Sequence, residues 1–252
     1  MSLTVVVGAA RGIGRAIAQE LATAYPKDSL LLADIDTDQV DELARSLAAD
    51  GLDVSATQVD VADCESVIAL VDQSRTADKV AIAAGIFRAS PTLTTTVREF
   101  EDVFRVNTIG CFHVAQQYAS VMADNGGGAI VGLASIAARM PRMRQAAYAA
   151  SKAALRQALR VLAMEVAGSG VRINTVSPGP TDTEMMRQLA GDHSSVDDLA
   201  DGSLDALRPR IPSGHVATVA DIAAVVSFLL SPASRHVVMG DIVVDGGELL
   251  GM

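Results

Sequence analysis

Short apolar runs rich in β-branched residues alternate along this chain with longer segments whose apolar positions recur at helical spacing. Leu3 to Val7, Leu30 to Ala33, Val54 to Val59, Val80 to Ala84, Ala129 to Ala134, Val171 to Val176 and Ile242 to Val244 read as strands. Arg15 to Ala24, Asp38 to Ala49, Asp63 to Arg75, Val97 to Ala123, Val219 to Leu230 and a segment from Tyr148 through Ala167 read as helices. Strands alternating with helices predict an α/β fold, a single doubly wound parallel sheet of the Rossmann type with helices on both faces. No internal repeat, low-complexity tract or linker divides the chain, so residues 1–252 are expected to form one domain. One stretch breaks the rhythm. Residues 181–212 mix acidic and small residues without steady periodicity, which predicts a substrate lid with short helices around Glu184 to Ala190 and Val196 to Leu207.

Composition narrows the function. The chain has 252 residues, half of them hydrophobic, which suffices for one large domain with a sizeable core. A formal charge of −10 argues against a nucleic-acid or anionic-membrane partner. Cys64 and Cys111 are isolated and the four histidines are scattered, so neither a disulfide framework nor a metal site is indicated. No apolar run reaches spanning length, and the first strand starts close to Met1, so no signal peptide is expected. A soluble, cytoplasmic protein is expected.

Gly8-Ala-Ala-Arg11-Gly12-Ile13-Gly14 lies between the first strand and the first helix, the context a dinucleotide site requires. Glycines there permit a tight turn, close pyrophosphate approach and a helix N-terminus facing the phosphates. Asp34 ends the second strand, where a carboxylate accepts from ribose hydroxyls and repels a 2′-phosphate. Asp36 and Asp38 add negative charge, and no arginine stands beside Asp34 in the sequence, which favours NAD over NADP. Further on, Tyr148 and Lys152 are spaced i, i+4, so both face the same side of a helix. A fixed positive charge beside a phenol favours the phenolate and makes it a better base. Ser135 ends a strand across a loop from that helix and is placed to hydrogen-bond a substrate oxygen. Alone, Tyr148 and Lys152 also fit a packed ring and a solvated charge.

With these residues in order, the chain resembles the short-chain dehydrogenase/reductase superfamily over nearly its whole length. Gly8, Gly12 and Gly14 match its cofactor turn, although Val7 replaces the usual threonine. The resemblance assigns Asp60, with Val61, to the adenine end. Ala84 and Gly85 fall in its N-A-G motif, where Ala83 replaces asparagine. Asn107 matches the asparagine that holds a relay water behind the lysine, and Ser135, Tyr148 and Lys152 match the catalytic set. Pro178-Gly179 with Thr181 and Thr183 match the segment that meets the nicotinamide and pyrophosphate. The resemblance further implies sheet order 3-2-1-4-5-6-7 and a homotetramer with apolar interface helices.

An anionic substrate is indicated separately. Arg139, Arg142 and Arg144 cluster between the catalytic serine and tyrosine, and Arg88 follows a strand end on the same side of the sheet. Guanidinium groups pair bidentately with carboxylates. Arg88, Arg142 and Arg139 are therefore the expected carboxylate ligands, with Met185 against a ring. Ala83 to Arg88, Pro141-Arg142, Ala167 to Arg172, Ser177 to Thr183 and Asp241 to Gly247 resemble a narrower group of the superfamily. It oxidises a ring hydroxyl of a cyclohexadiene carboxylate, giving the aromatic phenol acid used in siderophore synthesis. Three alternatives stay open at this point: an amino-hydroxy analogue of that substrate, an unrelated alcohol, and a non-catalytic NAD-binding module.

Overall fold

Three consecutive valines near the start of the chain, Val5, Val6 and Val7, are each wholly buried, and they point to two different cores. Val5 and Val7 pack with Tyr118, Leu155 and Leu159, whereas Val6 packs with Ile17, Leu21 and Val226. A strand apolar on both faces has to be covered on both faces. The computed structural model describes residues 2–190 and 196–251 and shows how this is done.

The strands are β1 (Leu3–Val7), β2 (Ser29–Asp34), β3 (Val54–Gln58), β4 (Ala77–Ile82), β5 (Gly128–Leu133), β6 (Val171–Pro178) and β7 (Asp241–Val244). They form one sheet in the order β3-β2-β1-β4-β5-β6-β7, and every neighbouring pair is parallel. The helices are α1 (Gly12–Ala24), α2 (Thr37–Ala49), α3 (Cys64–Gln73), α4 (Val97–Phe104), α5 (Cys111–Asp124), α6 (Ala146–Val166), α7 (Glu184–Ala190) and α8 (Val219–Leu230). Helices α3, α5 and α6 cover one face, and α1, α2 and α8 the other. Local chemistry sets several of the boundaries. Asp36 caps α2, while Thr96 with Glu99 and Thr218 with Asp221 form capping boxes that start α4 and α8. Val7 pairs with both Ala33 and Ile82, and Pro178 with Val244, so the strand ends are level and their loops open on one edge. Ligands of such sheets bind on that edge. Among the described residues, no helix is long and apolar enough to cross a membrane.

The structure departs from the sequence pattern in three places. Strand β6 does not break at Ser177 but runs to Pro178, because it gains β7 as a partner and a strand end tolerates proline. The single helix expected over Val97 to Ala123 is interrupted by a π-helical turn, Arg105–Gly110. Gly110 lies so close to the Val61 carbonyl that a Cβ there would sit 2.3 Å from its oxygen. In the expected lid, Val196–Asp201 is a 3-10 helix, but Ser203 and Arg208 then form an antiparallel bridge instead of continuing it. Gly202, at φ +76, turns the chain at that point. Residues 191–195 of the lid lie outside the described residues.

Candidate active site

The turn after β1 packs where no side chain fits. A Cβ on Gly14 would lie 1.8 Å from the Gly8 oxygen, and one on Gly8 would lie 2.4 Å from the Ala84 nitrogen. This close packing brings the N-terminus of α1 to the level edge of the sheet. Arg11 occupies the N-cap but its side chain gives the helix no capping hydrogen bond, and the first turn has no acidic residue. A helix start left in that state suits an anionic ligand. Across the turn, Asp34 accepts from Ala10 N–H at 2.9 Å and from Asp36 N–H at 3.0 Å.

These features border a cleft of about 670 Å³. Every residue singled out for the cofactor lines it, from the glycine turn through Asp60, Val61, Ala84 and Gly85 to the segment from Pro178 to Thr183. The uncapped helix start, the carboxylate ending β2 and Lys152 at the far end fit a nicotinamide dinucleotide. One sequence expectation needs correction. An arginine does stand near Asp34 in space, because the turn swings Arg11 onto Asp36. Its hydrogen bond holds the Asp36 carboxyl below the ordinary carboxylate range.

The catalytic set meets at the other end of the cleft. Ser135 lies two residues past the end of β5 and caps a short 3-10 turn, Ile136–Ala138, accepting from Ala137 N–H at 3.1 Å. Tyr148 sits in the first turn of α6, its ring edge-on to Phe87 with centroids 4.9 Å apart. Burial pushes the Tyr148 phenol up, and a hydrogen bond from Ser135 pulls it back. Lys152 is buried and donates to the Leu133 carbonyl at 2.7 Å. Burial pushes its ammonium down. The sequence expectation gave Lys152 the task of lowering the phenol; in this structure Ser135 pulls it down, and burial outweighs that pull.

Asn107 is wholly buried behind Gly85 and does not line the cleft. Its Oδ1 accepts from Ile86 N–H at 2.8 Å, and its Nδ2 donates to Ile86 O at 2.9 Å and Ser151 Oγ at 3.1 Å. Those bonds leave a single lone pair of Oδ1 for a relay water. A Cβ on Gly85 would lie 3.3 Å from both Asn107 Oδ1 and Lys152 Nζ, a tight fit that either side chain would have to ease.

The arginines separate. Arg139 does not face the cleft; it donates to Asp241 Oδ2 at 2.7 Å, so its expected role on substrate is replaced by a structural ion pair. Asp241 also accepts from Ser177 at 2.7 Å, Thr175 at 2.9 Å and Arg156 at 3.2 Å. Burial pushes this carboxyl up, but those donors together hold it below its ordinary value. Arg144 is exposed, whereas Arg88, Arg142 and Met185 line the cleft.

Three contributors escaped the sequence reading. Arg208 lines the cleft from the lid, Glu248 pairs with Arg142 at 2.7 Å, and Phe87 backs the tyrosine. Phe87 lies between two residues that were singled out, Gly85 and Arg88. Nothing local marks Arg208 or Glu248, since only the fold brings them together.

A parallel seven-stranded sheet, a glycine turn at its edge and a Ser-Tyr-Lys set define a nicotinamide-dependent oxidoreductase. The chain belongs to the short-chain dehydrogenase/reductase family, and the family model described as enoyl-(acyl carrier protein) reductase matches residues 8–248. It is 34% identical to a 2,3-dihydro-2,3-dihydroxybenzoate dehydrogenase of Bacillus subtilis, covering 98% of this chain and 95% of the relative. It is 35% identical to an Escherichia coli protein of the same name, covering 98% and 96%. A solved structure from Beutenbergia cavernae, described as an NAD(P)-dependent gluconate 5-dehydrogenase with NADP bound, is 32% identical. It superposes with a TM-score of 0.89 over 99% of this chain and 97% of the other.

Proposed function

We propose that this protein oxidises 2,3-dihydro-2,3-dihydroxybenzoate to 2,3-dihydroxybenzoate with NAD, as a step in making an aryl siderophore or a related metabolite. The observation that carries this reading is the meeting of Tyr148 and Ser135 with Arg142 and Arg208 in one cleft. The names of the Bacillus subtilis and Escherichia coli relatives support it. Asp34, with Arg11 engaged by Asp36, supports NAD as the cofactor.

In this reading Arg142 and Arg208 hold the ring carboxylate and Arg88 stands at the rim. When bound, the nicotinamide group supplies the hydride acceptor. Ser135 donates to the oxygen of the ring hydroxyl, and Tyr148 as phenolate takes the hydroxyl proton while the adjoining C–H bond breaks. Lys152 holds the nicotinamide ribose, and Asn107 keeps the loop after β4 in place. The ring carbon becomes a carbonyl. The dienone then moves a ring proton to that oxygen and becomes a phenol, so the oxidation runs one way. The same reading makes the protein a cytoplasmic homotetramer, an assembly supported by exposed apolar Val97, Ile109, Val161 and Met164.

The test mixes protein, NAD and the dihydro acid, following NADH and the product spectrum together. A catechol spectrum growing in step with NADH is expected. No turnover of this acid overturns the reading, and turnover of its 2-amino analogue or of a simple ketone would then name the replacement.

A further inference from the structure

Of the two arginines assigned to the substrate carboxylate, Arg142 already has a carboxylate against it, and Arg208 feels the charge of the same group. Glu248 is wholly buried, three residues past Asp245, which directly follows β7. Its Oε1 lies 2.7 Å from Arg142 Nη2, and that arginine side chain is only 9% exposed. The contact is close but poorly aligned, and neither oxygen of Glu248 has a well-directed hydrogen-bond donor. The charged groups acting on Glu248 come from three segments: Arg142 from the loop before α6, Arg208 from the lid, and Asp245 from the turn after β7.

Asp245 differs from Glu248 in one decisive respect. Its carboxylate accepts from the N–H groups of Gly247 and Leu249, each at 2.8 Å. A ring carboxylate entering this pocket would set three anions against two guanidinium groups. Of the two protein carboxylates, Glu248 is the less supported by donors and the more enclosed.

We propose that Glu248 is the internal counter-ion of the substrate pocket, yielding Arg142 and Arg208 to a bound carboxylate by taking up one proton from solvent. The inference rests on the carboxylate substrate proposed above. Burial already pushes the Glu248 carboxyl up, against the pull of the two arginines. A second anion on the same arginines raises it further, so binding takes up a proton between the free and bound values. In that window KM rises with pH, up to about tenfold per pH unit for one linked proton.

The experiment measures KM against pH at saturating NAD, for the dihydro acid and for an uncharged ring alcohol, in wild type and Glu248→Gln. The expected result is a KM that climbs with pH for the acid alone, a flat profile in the variant, and a variant KM below wild type at the alkaline end. Calorimetry of 2,3-dihydroxybenzoate binding to the wild-type NADH complex, in buffers of different ionisation heat, gives a second measurement that does not depend on the variant. It is expected to show net uptake of a proton. A flat wild-type profile, the same climb in the variant, or no proton uptake overturns the inference while leaving the reaction intact. No turnover of the dihydro acid overturns the reaction, and the inference with it.

Discussion

The Asn107 carboxamide brackets the backbone of Ile86, accepting from its N–H at 2.8 Å and donating to its carbonyl at 2.9 Å. The π-helical turn delivers this side chain, and a residue pair from distant parts of the chain thereby fixes the loop after β4 that carries Gly85. Asn107→Ala strips both groups of Ile86 of their partners. It is expected to cost about 2–4 kcal/mol of stability, read from denaturant midpoints, together with most of the turnover.

Tyr148→Phe keeps the ring contact with Phe87 and removes the proton acceptor. Turnover is expected to fall by about 10²–10⁴-fold, with NAD affinity by titration unchanged. A variant that keeps wild-type kcat would remove Tyr148 from the chemistry.

The phenol must lose its proton to act, so kcat/KM is expected to climb with pH on its acid limb. The Ser135 hydrogen bond pulls the phenol down. Ser135→Ala should therefore move that limb to higher pH as well as lower the plateau. A limb that stays put in the variant would mean that Ser135 does not tune Tyr148.

Cofactor choice depends on Asp34 and on whether Arg11 is occupied. Wild type is expected to prefer NAD. Asp34→Ala combined with Asp36→Asn removes the repulsion and frees Arg11 for a 2′-phosphate, raising NADP use relative to NAD. Comparing kcat/KM for the two cofactors decides this, and a wild type that prefers NADP would refute the NAD assignment.

Arg139 and Arg208 should behave oppositely. Losing Arg208 removes a charge-assisted pair with substrate worth roughly 1.5–3 kcal/mol, seen as a higher KM for the carboxylate alone. Arg139→Met leaves the ratio of charged to uncharged substrate untouched and acts through Asp241. That carboxyl is held below its ordinary value, so its contribution to stability is complete above the unfolded value of about 3.9. The contribution is lost as pH falls through the lower folded value. Asp241→Asn should accordingly be less stable than wild type at neutral pH, with the gap in Tm closing in acid.

Local patterns carried much of this structure. The apolar run Leu3 to Val7 followed by glycines locates β1 and its turn without any tertiary information, and Tyr148 with Lys152 announces itself by helical spacing. The π-helical turn was invisible, because Arg105 to Gly110 continues an amphipathic period and its contacts with Ile86 and Val61 join segments far apart in the chain. Arg139 and Arg142 looked alike in sequence. They part because a 3-10 turn points one at Asp241 and leaves the other facing the cleft. Glu248 meets Arg142 across about a hundred residues, a distance no local pattern spans.

Lys152 is anchored to the Leu133 carbonyl by the fold itself. A free lysine side chain carries about 2 kcal/mol of rotamer entropy, and here that freedom is surrendered when the chain folds and not when a ligand arrives. Cofactor capture then orders little of the protein at this end, which favours affinity through preorganisation. The same anchor ties capture to the lie of β5. A substitution that tilts the strand around Leu133 would release the lysine and weaken cofactor binding without altering any residue of the cleft.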